Sequence, residues 1–279
     1  MHVGVALFFT DRSIRPTDLA QALEARGFES LWAPEHSHIP LSRSSPWPQG
    51  GELPRKYYEV MDPFVTLTAA ASVTTSLKVG TGICLVPQRD VFQTAKSVAT
   101  LDVLSGGRFL FGIGAGWNED EMRNHGVDPK ARMKLMREKV EAMRAIWTDE
   151  TAEFHGDLVE FGPMQTWPKP ARPPPVYVGG AFPYGARRAL RYGDAWLPHA
   201  KRPHYHILDK MAEFREMEAE AGRRIPVTVF GGEPDPAMLA RYREAGIERV
   251  VVNIDPMDRD ASLAKLDAWA AAGVPKGGA

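Results

Sequence analysis

Glu35, His36 and His38 stand close together, directly after a short β-rich run. An imidazole changes its charge near neutral pH, so it can accept or donate a proton during catalysis. Two imidazoles at alternate positions can also serve as ligands of a metal ion. This point of the chain therefore offers two chemistries, proton transfer and metal binding.

Two glycine-rich segments are the second feature with chemical meaning. Residues 112–116 read Gly-Ile-Gly-Ala-Gly, and Gly179-Gly180-Ala181 precedes a helical pattern that begins near Tyr184. Glycines let the backbone approach a flat ring closely, and the free N–H groups and dipole of a helix N-terminus favour a phosphate. Residues 112–116 lack the spacing of a dinucleotide fingerprint, and tight turns at strand ends are the alternative explanation for their glycines.

Short β-rich runs alternate with longer helical patterns along the chain, and this alternation must position the residues named above. Eight strand–helix pairs with short connections predict an α/β fold, a (β/α)8 TIM barrel, with a doubly wound open sheet as the competing fold. In a barrel, functional side chains lie at the carboxyl ends of the strands. The predicted strands are 3–9, 30–33, 77–84, 108–113, 175–178, 194–197, 226–230 and 249–253.

Two segments are longer than ordinary loops. Residues 35–61 follow the second predicted strand and are rich in Pro, Ser and Gly, whereas residues 151–174 precede the fifth strand and have the pattern of a hairpin with a linker. Insertions of this kind usually cover a barrel mouth. We predict one domain over residues 1–279 that carries both insertions. The helical patterns include 119–147, with a break near Gly126, and 205–221.

The composition argues against several classes of protein. The 279 residues carry a formal net charge of −1 without a basic patch, so we expect no nucleic-acid partner. No apolar run approaches the roughly 20 residues of a membrane-spanning helix, and the apolar start lacks a basic leader, so we expect no membrane anchor. The only cysteine, Cys84, excludes a disulfide within the chain and cysteine-based metal clusters. We therefore expect a cytoplasmic protein.

The segment Gly107–Glu119, GRFLFGIGAGWNE, closely resembles the fourth-strand motif of the luciferase-like monooxygenase superfamily, whose barrels use FMN or the deazaflavin coenzyme F420. Further similarities follow in the family's order: SLWAPEH at residues 30–36, GTGI at 80–83, PVYVGG at 175–180 and GDAW at 193–196. The short chain and the Trp-x-x-Glu-His sequence ending at His36 are most similar to the F420-dependent oxidoreductases. The resemblance covers nearly the whole chain.

The resemblance assigns roles to individual residues. It makes His36 the catalytic residue, which would handle a proton beside the ring while a hydride moves. It implies a non-proline cis peptide bond at Gly82–Ile83 and a phosphate near Gly179–Ala181. The implied cofactor-binding residues are Glu35, Gly82, Ile83, Gly114, Ala115, Gly116, Asn118, Gly179, Gly180 and Ala181.

Several other residues are assigned to the scaffold or the surface, and no residue is assigned as a metal ligand. Glu121 and Arg132 are interpreted as helical scaffold and His125 as an exposed surface histidine. Arg187 and Arg188 are candidates to assist in binding the phosphate, but a solvated helix face is the favoured interpretation. Trp117 stands where the best-known sugar-phosphate dehydrogenase of the branch has a catalytic carboxylate. This difference argues against a sugar-phosphate substrate. Trp117 either forms an apolar or aromatic wall there or packs inward.

The resemblance implies an oxidoreductase that transfers a hydride between F420 and a small organic substrate. Three alternatives stay open. The first is an FMN-dependent monooxygenase, and the second is a cofactor-binding protein without catalysis. The third is a metal-dependent barrel hydrolase that would use His36 and His38 with His199 and Asp255, which follow later strands.

Two further expectations concern assembly and a lid. Family members mostly form dimers, and the predicted helix 63–76 is apolar for an outer face, so we expect a homodimer. The loop that carries Trp47 leaves the barrel mouth after the second strand. We expect this loop to close over the cofactor and exclude water.

Overall fold

A closed barrel of eight parallel strands forms the centre of the computed structural model, which describes residues 1–276. Strands follow one another around the ring in chain order, and the last strand pairs with the first. Parallel bridges at Trp196–Val227 and His199–Phe230 join the sixth and seventh strands, so the ring is complete. The predicted (β/α)8 barrel is confirmed. The strands are β1 His2–Ala6, β2 Ser30–Ala33, β3 Lys78–Thr81, β4 Phe109–Gly114, β5 Val176–Gly179, β6 Ala195–Leu197, β7 Thr228–Gly232 and β8 Arg249–Asn253.

A helix follows each strand on the outside of the ring. Asp62, Asp90, Asp235 and Asp258 each begin one of these helices by accepting a hydrogen bond from a backbone N–H of its first turn. Among the helices of residues 1–276, none is both long and apolar enough to cross a membrane. The helices are α1 Pro16–Ala25, α2 Pro63–Ser72, α3 Val91–Ser105, α4 Arg132–Thr148, α5 Tyr184–Tyr192, α6 Met211–Glu220, α7 Pro236–Glu244 and α8 Arg259–Ala271.

Shorter elements occupy the connections. Two short helices, Lys56–Glu59 and Glu119–Asn124, lie after β2 and β4, and Cys84–Leu85 is a short strand beside β4. Antiparallel pairs join Ala152–His155 to Glu160–Met164, and Lys201–Arg202 to Tyr205–His206. Single turns of 3-10 helix cover Val86–Gln88, Ile207–Lys210 and Val274–Lys276.

Most predicted boundaries agree with these elements to within about two residues. The first and third strands, predicted over 3–9 and 77–84, end early at Ala6 and Thr81, and two helix boundaries are wrong. The helix predicted over 205–221 begins only at Met211, because Tyr205–His206 pairs with Lys201–Arg202 as a hairpin and a 3-10 turn follows. The helix predicted over 63–76 ends at Ser72. The predicted break near Gly126 and the hairpin before β5 are both present. Residues 277–279 of the predicted domain lie outside the described residues.

The inside of the barrel is filled by side chains. Trp32 is fully buried there, and its indole N–H donates to Ser30 Oγ at 2.9 Å. Glycine at position 80 is required, because a Cβ atom there would lie 2.7 Å from the Trp32 ring. The barrel therefore has no central channel, and any site must lie on an end face. The buried apolar cluster inside the barrel comprises Ala6, Trp32, Leu110, Tyr177, Ala195, Leu197, Phe230 and Val251, with Ile83 packed against it.

A buried ion pair closes the amino-terminal face of the barrel. Arg249, at the start of β8, is 1% exposed and donates to both carboxylate oxygens of Glu29 at 2.7 Å. It also donates to Thr228 Oγ1 at 3.1 Å and to the Tyr177 hydroxyl at 3.3 Å. Burial alone would raise the pKa of Glu29, but the bonds and charges of Arg249 and Lys78 lower it to about 2. This face is a structural plug, so the opposite face is the place for chemistry.

Candidate functional site

His36 and Glu121 form a buried pair at the carboxyl end of the barrel. His36 follows β2, and its Nδ1 lies 2.7 Å from Oε2 of Glu121, which is fully buried on the short helix after β4. Burial alone would raise the pKa of Glu121, but hydrogen bonding and charge from His36 and the amide of Ser37 lower it. Because an ionised carboxylate only accepts, Nδ1 of His36 carries the hydrogen, and Nε2 is left to accept a proton.

The assignment of Glu121 to the scaffold is wrong. Its backbone N–H donates to Oδ1 of Asn118, which caps the short helix and places Glu121 in the first turn. The Asn-x-x-Glu spacing predicts such a cap. It carries no information that the side chain would meet His36, which is 85 residues away in the chain.

Aromatic side chains cover His36. Ring centroids of Tyr57 and Trp117 lie 5.5 and 5.7 Å from that of His36, and Trp47 lies 5.9 Å from Tyr57. Burial raises the pKa of Tyr57. Trp117 is thus part of an aromatic wall against His36. The loop of residues 35–61 lies across the mouth of the barrel through these contacts.

Other contacts anchor the same loop at its two sides. Lys56 Nζ lies 3.1 Å from Oδ1 of Asp255, which follows β8. On the opposite side, the Ser44 amide donates to Asp120 at 3.0 Å, and Ser45 Oγ accepts from the amide of Glu119 at 2.9 Å. A cavity of about 390 Å³ lies within the loop, lined by residues 43–58, and none of these belongs to a strand end.

Glu35 braces the backbone after β3. Its Oε2 accepts from the amide of Leu85 at 2.6 Å, and its Oε1 accepts from Nε of Arg89 at 2.5 Å. Burial disfavours the charged form of Arg89, but attraction to Glu35 outweighs this and raises its pKa. Both oxygens of Glu35 are therefore used by the protein.

The glycines of the fourth-strand motif serve the packing of the strands. A Cβ atom at Gly112 would lie 1.9 Å from the carbonyl oxygen of Thr81, and one at Gly114 would lie 1.8 Å from Cδ1 of Ile83. The Gly82–Ile83 peptide bond is cis. A Cβ atom at Gly179 would lie 3.3 Å from Cγ2 of Ile83, so this side chain is seated between β4 and β5. Close approach by a cofactor is not needed to explain Gly112 and Gly114.

Two side-chain hydrogen-bond donors after β3 and β4 have no partner among the described residues. Asn118 Nδ2 and Gln88 Nε2 are buried and have no hydrogen-bond partner among residues 1–276. Gln88 Nε2 lies 3.3 Å from the position of a Cβ atom at Gly116, which has φ +79°. Ala115 beside it is 6% exposed. A buried donor without a partner is costly, so a polar ligand atom would stabilise this arrangement.

A cradle of bare backbone lies after β5. Gly180 has φ +140°, its carbonyl accepts from Nε1 of Trp196 at 3.1 Å, and Ala181 leads into α5. A Cβ atom at Gly180 would lie 2.8 Å from Nη2 of Arg188, so the guanidinium stands against bare backbone. Only glycine readily adopts this φ.

Two arginines in this region carry buried donors without a partner among residues 1–276. The Nε atoms of Arg188 and Arg132 are buried without a partner in the described part of the chain. Burial lowers the pKa of Arg188, and the charge of Arg132 adds to this. The assignment of Arg188 to a solvated face is wrong, whereas its neighbour Arg187 is exposed. Two close positive charges with unused donors are suited to a phosphate.

The residues named for a metal-dependent hydrolase do not come together. Nδ1 of His36 bonds Glu121, and Asp255 is paired with Lys56. His199 packs against Phe230 with ring centroids 5.7 Å apart, and burial and then the charge of Arg202 lower its pKa to about 4. These contacts give no support to the hydrolase alternative.

The luciferase-like monooxygenase family matches residues 11–257 of this sequence. The chain belongs to this family. An uncharacterised protein of Mycobacterium tuberculosis is 39% identical over 282 aligned residues, covering 97% of this chain and 98% of that protein. The F420-dependent hydroxymycolic acid dehydrogenase of M. tuberculosis is 31% identical over 206 residues, covering 71% of this chain and 53% of that protein.

Solved structures of the luciferase-like fold superimpose on the whole chain. The monooxygenase RslO1 from Streptomyces bottropensis has a TM-score of 0.77 and 19% identity, covering 99% of both chains. An F420-dependent secondary alcohol dehydrogenase in complex with an F420-acetone adduct has a TM-score of 0.74 and 20% identity, covering 100% of both chains. At these identities the likeness shows the fold, and it leaves the choice between flavin and deazaflavin open.

Proposed function

We propose that this luciferase-like protein is an oxidoreductase that transfers a hydride between coenzyme F420 and a small organic substrate. The observation that carries the proposal is the buried pair of His36 and Glu121, which leaves Nε2 of His36 to take a proton at the barrel mouth. Such a group serves a reaction in which a proton and a hydride leave or join the same substrate. The F420-dependent dehydrogenase among the relatives supports the same cofactor.

The residues present fit a phosphate-bearing cofactor. Gly180 provides a cradle that a Cβ atom would fill, and Nε of Arg188 and Arg132 are buried donors without a partner among residues 1–276. Gly179, Gly180 and Ala181 with these arginines would hold the phosphate. Ile83, seated against Gly114 and Gly179, would contact the ring. Bound F420 would supply the carbon that accepts or returns the hydride.

His36 handles the proton of this reaction. When an alcohol is oxidised, its C–H bond yields a hydride with two electrons, its O–H proton passes to Nε2 of His36, and a carbonyl compound remains. Glu121 stabilises the imidazolium, because its carboxylate lies 2.7 Å from Nδ1. In the reducing direction, His36 returns the proton to the oxygen that receives the electron pair.

The aromatic side chains exclude water from this step. Tyr57 and Trp117 pack on His36, and Trp47 packs on Tyr57. Water near the reacting carbon would weaken the electrostatic interactions of the site. The loop of residues 35–61 must open to admit the cofactor, since its side chains cover His36 in the structure.

An FMN-dependent monooxygenase is the second candidate, because the chain belongs to a monooxygenase family and resembles the fold of RslO1. Titration of the apo-protein with F420 and with FMN, each followed by fluorescence, separates the two. The proposal expects F420 to bind tighter and to be reduced or oxidised without oxygen uptake. Tighter FMN binding with substrate-dependent oxygen uptake would establish the second candidate instead.

The homodimer expected from the sequence is retained as a proposal. On the outer face, Val65 of α2 is 71% exposed, and Val103 and Leu104 of the neighbouring α3 are 49% and 61% exposed. Burial of such a patch against a second copy would remove apolar surface from water. Light scattering at micromolar concentration tests it, and a monomer mass would contradict it.

A further inference from the structure

Three potential ligand atoms converge next to the His36–Glu121 pair. Nδ1 of His38 and Nε2 of His125 lie 2.9 and 2.7 Å from the hydroxyl of Ser37, and Oε1 of Glu121 lies 3.3 Å from it. The ligand atoms of His38, Glu121 and His125 all lie within 4.8 Å of one another. Glu121 contacts His36 through its other oxygen, and its Oε1 accepts from the amide and the hydroxyl of Ser37 at 3.0 and 3.3 Å. A carboxylate oxygen has two lone pairs, so a metal ion would share Oε1 with the Ser37 amide.

We propose that His38, Glu121 and His125 bind a divalent transition-metal ion, with zinc as the ion that the ligand set suits best. Two imidazoles and one carboxylate are a common zinc ligand set, with bonds of about 2.0–2.2 Å. Tetrahedral bonds of that length place ligand atoms about 3.3–3.5 Å apart, so ligand atoms that now lie up to 4.8 Å apart must approach by as much as about 1.5 Å. The Ser37 hydroxyl stands where the three ligand atoms converge and would turn aside or occupy the fourth position.

The surroundings of the cluster permit this contraction. His125 is exposed and His38 is partly exposed, so both rings can move towards Glu121. Asn124 lies 2.9 Å from Nε2 of His38 and holds that ring with Nδ1 towards the cluster. After a flip of the amide, its oxygen accepts the Nε2 hydrogen that a metal-bound imidazole carries.

Charge also favours a cation at this point. Glu121 is the one carboxylate of the three ligands, and both imidazoles are lone-pair donors when neutral. Arg123 on the same short helix is paired with Glu119 at 2.9 Å and with Asp120 at 3.2 Å. Its charge is therefore compensated.

Calorimetric titration of chelator-treated, cofactor-free protein with zinc chloride tests the binding. One ion per chain is expected, with a Kd of about 1 µM or tighter. His38→Ala and His125→Ala should each weaken binding by at least about tenfold. His204→Ala removes an exposed histidine outside the cluster and should leave binding unchanged. Absence of stoichiometric binding, or equal binding in all three variants, overturns the proposal.

A second readout separates this proposal from the proposed function. Cobalt(II) absorption of the cofactor-free protein reports a site of low coordination number, and both cluster variants should lose it. If zinc binds but F420 does not, the metal site stands and the hydride-transfer proposal fails.

Discussion

Replacement of Arg188 by methionine provides the sharpest test of the anion cradle after β5. The guanidinium lies against Gly180, and its Nε is buried without a partner among residues 1–276. A hydrogen bond to a charged group contributes about 1.5–3 kcal/mol, so Arg188→Met should weaken cofactor binding by about 10- to 150-fold. Stability should change in the opposite direction, because an unsatisfied buried donor costs about 1–3 kcal/mol and methionine keeps an apolar stem.

Arg187 provides the matched control on the same helix. It is exposed, and its guanidinium stands over the ring of Tyr184 at 5.9 Å. Arg187→Met removes the same formal charge and should leave cofactor affinity within about threefold, because exposed charges interact weakly through water. Affinity is measured by fluorescence titration and unfolding free energy by urea denaturation. Equal losses of affinity in both variants would refute the cradle, as would a less stable Arg188→Met that binds normally.

Gly180 itself is a less informative position. At φ +140° an alanine is strained, which costs about 1–3 kcal/mol whether or not a cofactor binds. Its Cβ atom would also press on Nη2 of Arg188 at 2.8 Å. A loss of cofactor binding in Gly180→Ala would therefore not be separable from a loss of stability. The comparison of Arg188→Met with Arg187→Met separates cofactor binding from stability.

Three further predictions follow from the site and from the plug. His36→Ala should lower turnover by about 10²–10⁴ with cofactor affinity within a few fold, and full activity in this variant would remove His36 from the mechanism. Glu121→Gln should lower kcat more than it raises KM. Because the pKa of Glu29 falls from 4.5 to about 2 on folding, its stabilisation is complete above pH 4.5 and is lost as pH falls towards 2. The loss of unfolding free energy should reach about 3 kcal/mol in urea denaturation of the wild type and be absent in Glu29→Gln. Parallel pH profiles of unfolding free energy in the two proteins would contradict this prediction. Cofactor should slow proteolysis within residues 40–56, and Trp47→Ala should abolish this protection; equal cleavage with and without cofactor would contradict the lid.

Alternation of strand and helix patterns was sufficient to predict the barrel, because both periodicities are local properties of the sequence. Local irregularities were not predictable in the same way. The third strand, predicted over 77–84, is regular only over Lys78–Thr81, and a separate short strand follows at Cys84–Leu85. The start of α6 was predicted too early. Residues 205–210 satisfy a helical pattern, but pairing with Lys201–Arg202 holds Tyr205–His206 extended.

The same distinction between local sequence patterns and contacts made by the fold applies to the residues of the candidate site. His36 could be predicted because it lies in a motif with its own spacing. Glu121 could not, because its contact with His36 depends on a fold that brings together residues 85 positions apart. For Arg188 the sequence favoured a solvated face, because nothing local shows that its side chain turns back to Gly180. On a helix, a charged residue that faces solvent and one that faces a buried partner have the same sequence pattern. Only the positions of His36 and Gly180 in space distinguish these cases.

The adjacent residues Glu35 and His36, which follow β2, have side chains with different partners and different roles. In extended chain, successive side chains point to opposite sides. Glu35 accordingly bonds Arg89 and the amide of Leu85, whereas His36 turns to Glu121. The carboxylate next to the histidine in sequence thus fixes the backbone after β3, and a carboxylate from a distant helix serves the histidine. A shift of one residue at this point would exchange the two sides, so the local register after β2 decides which side chain can take a proton.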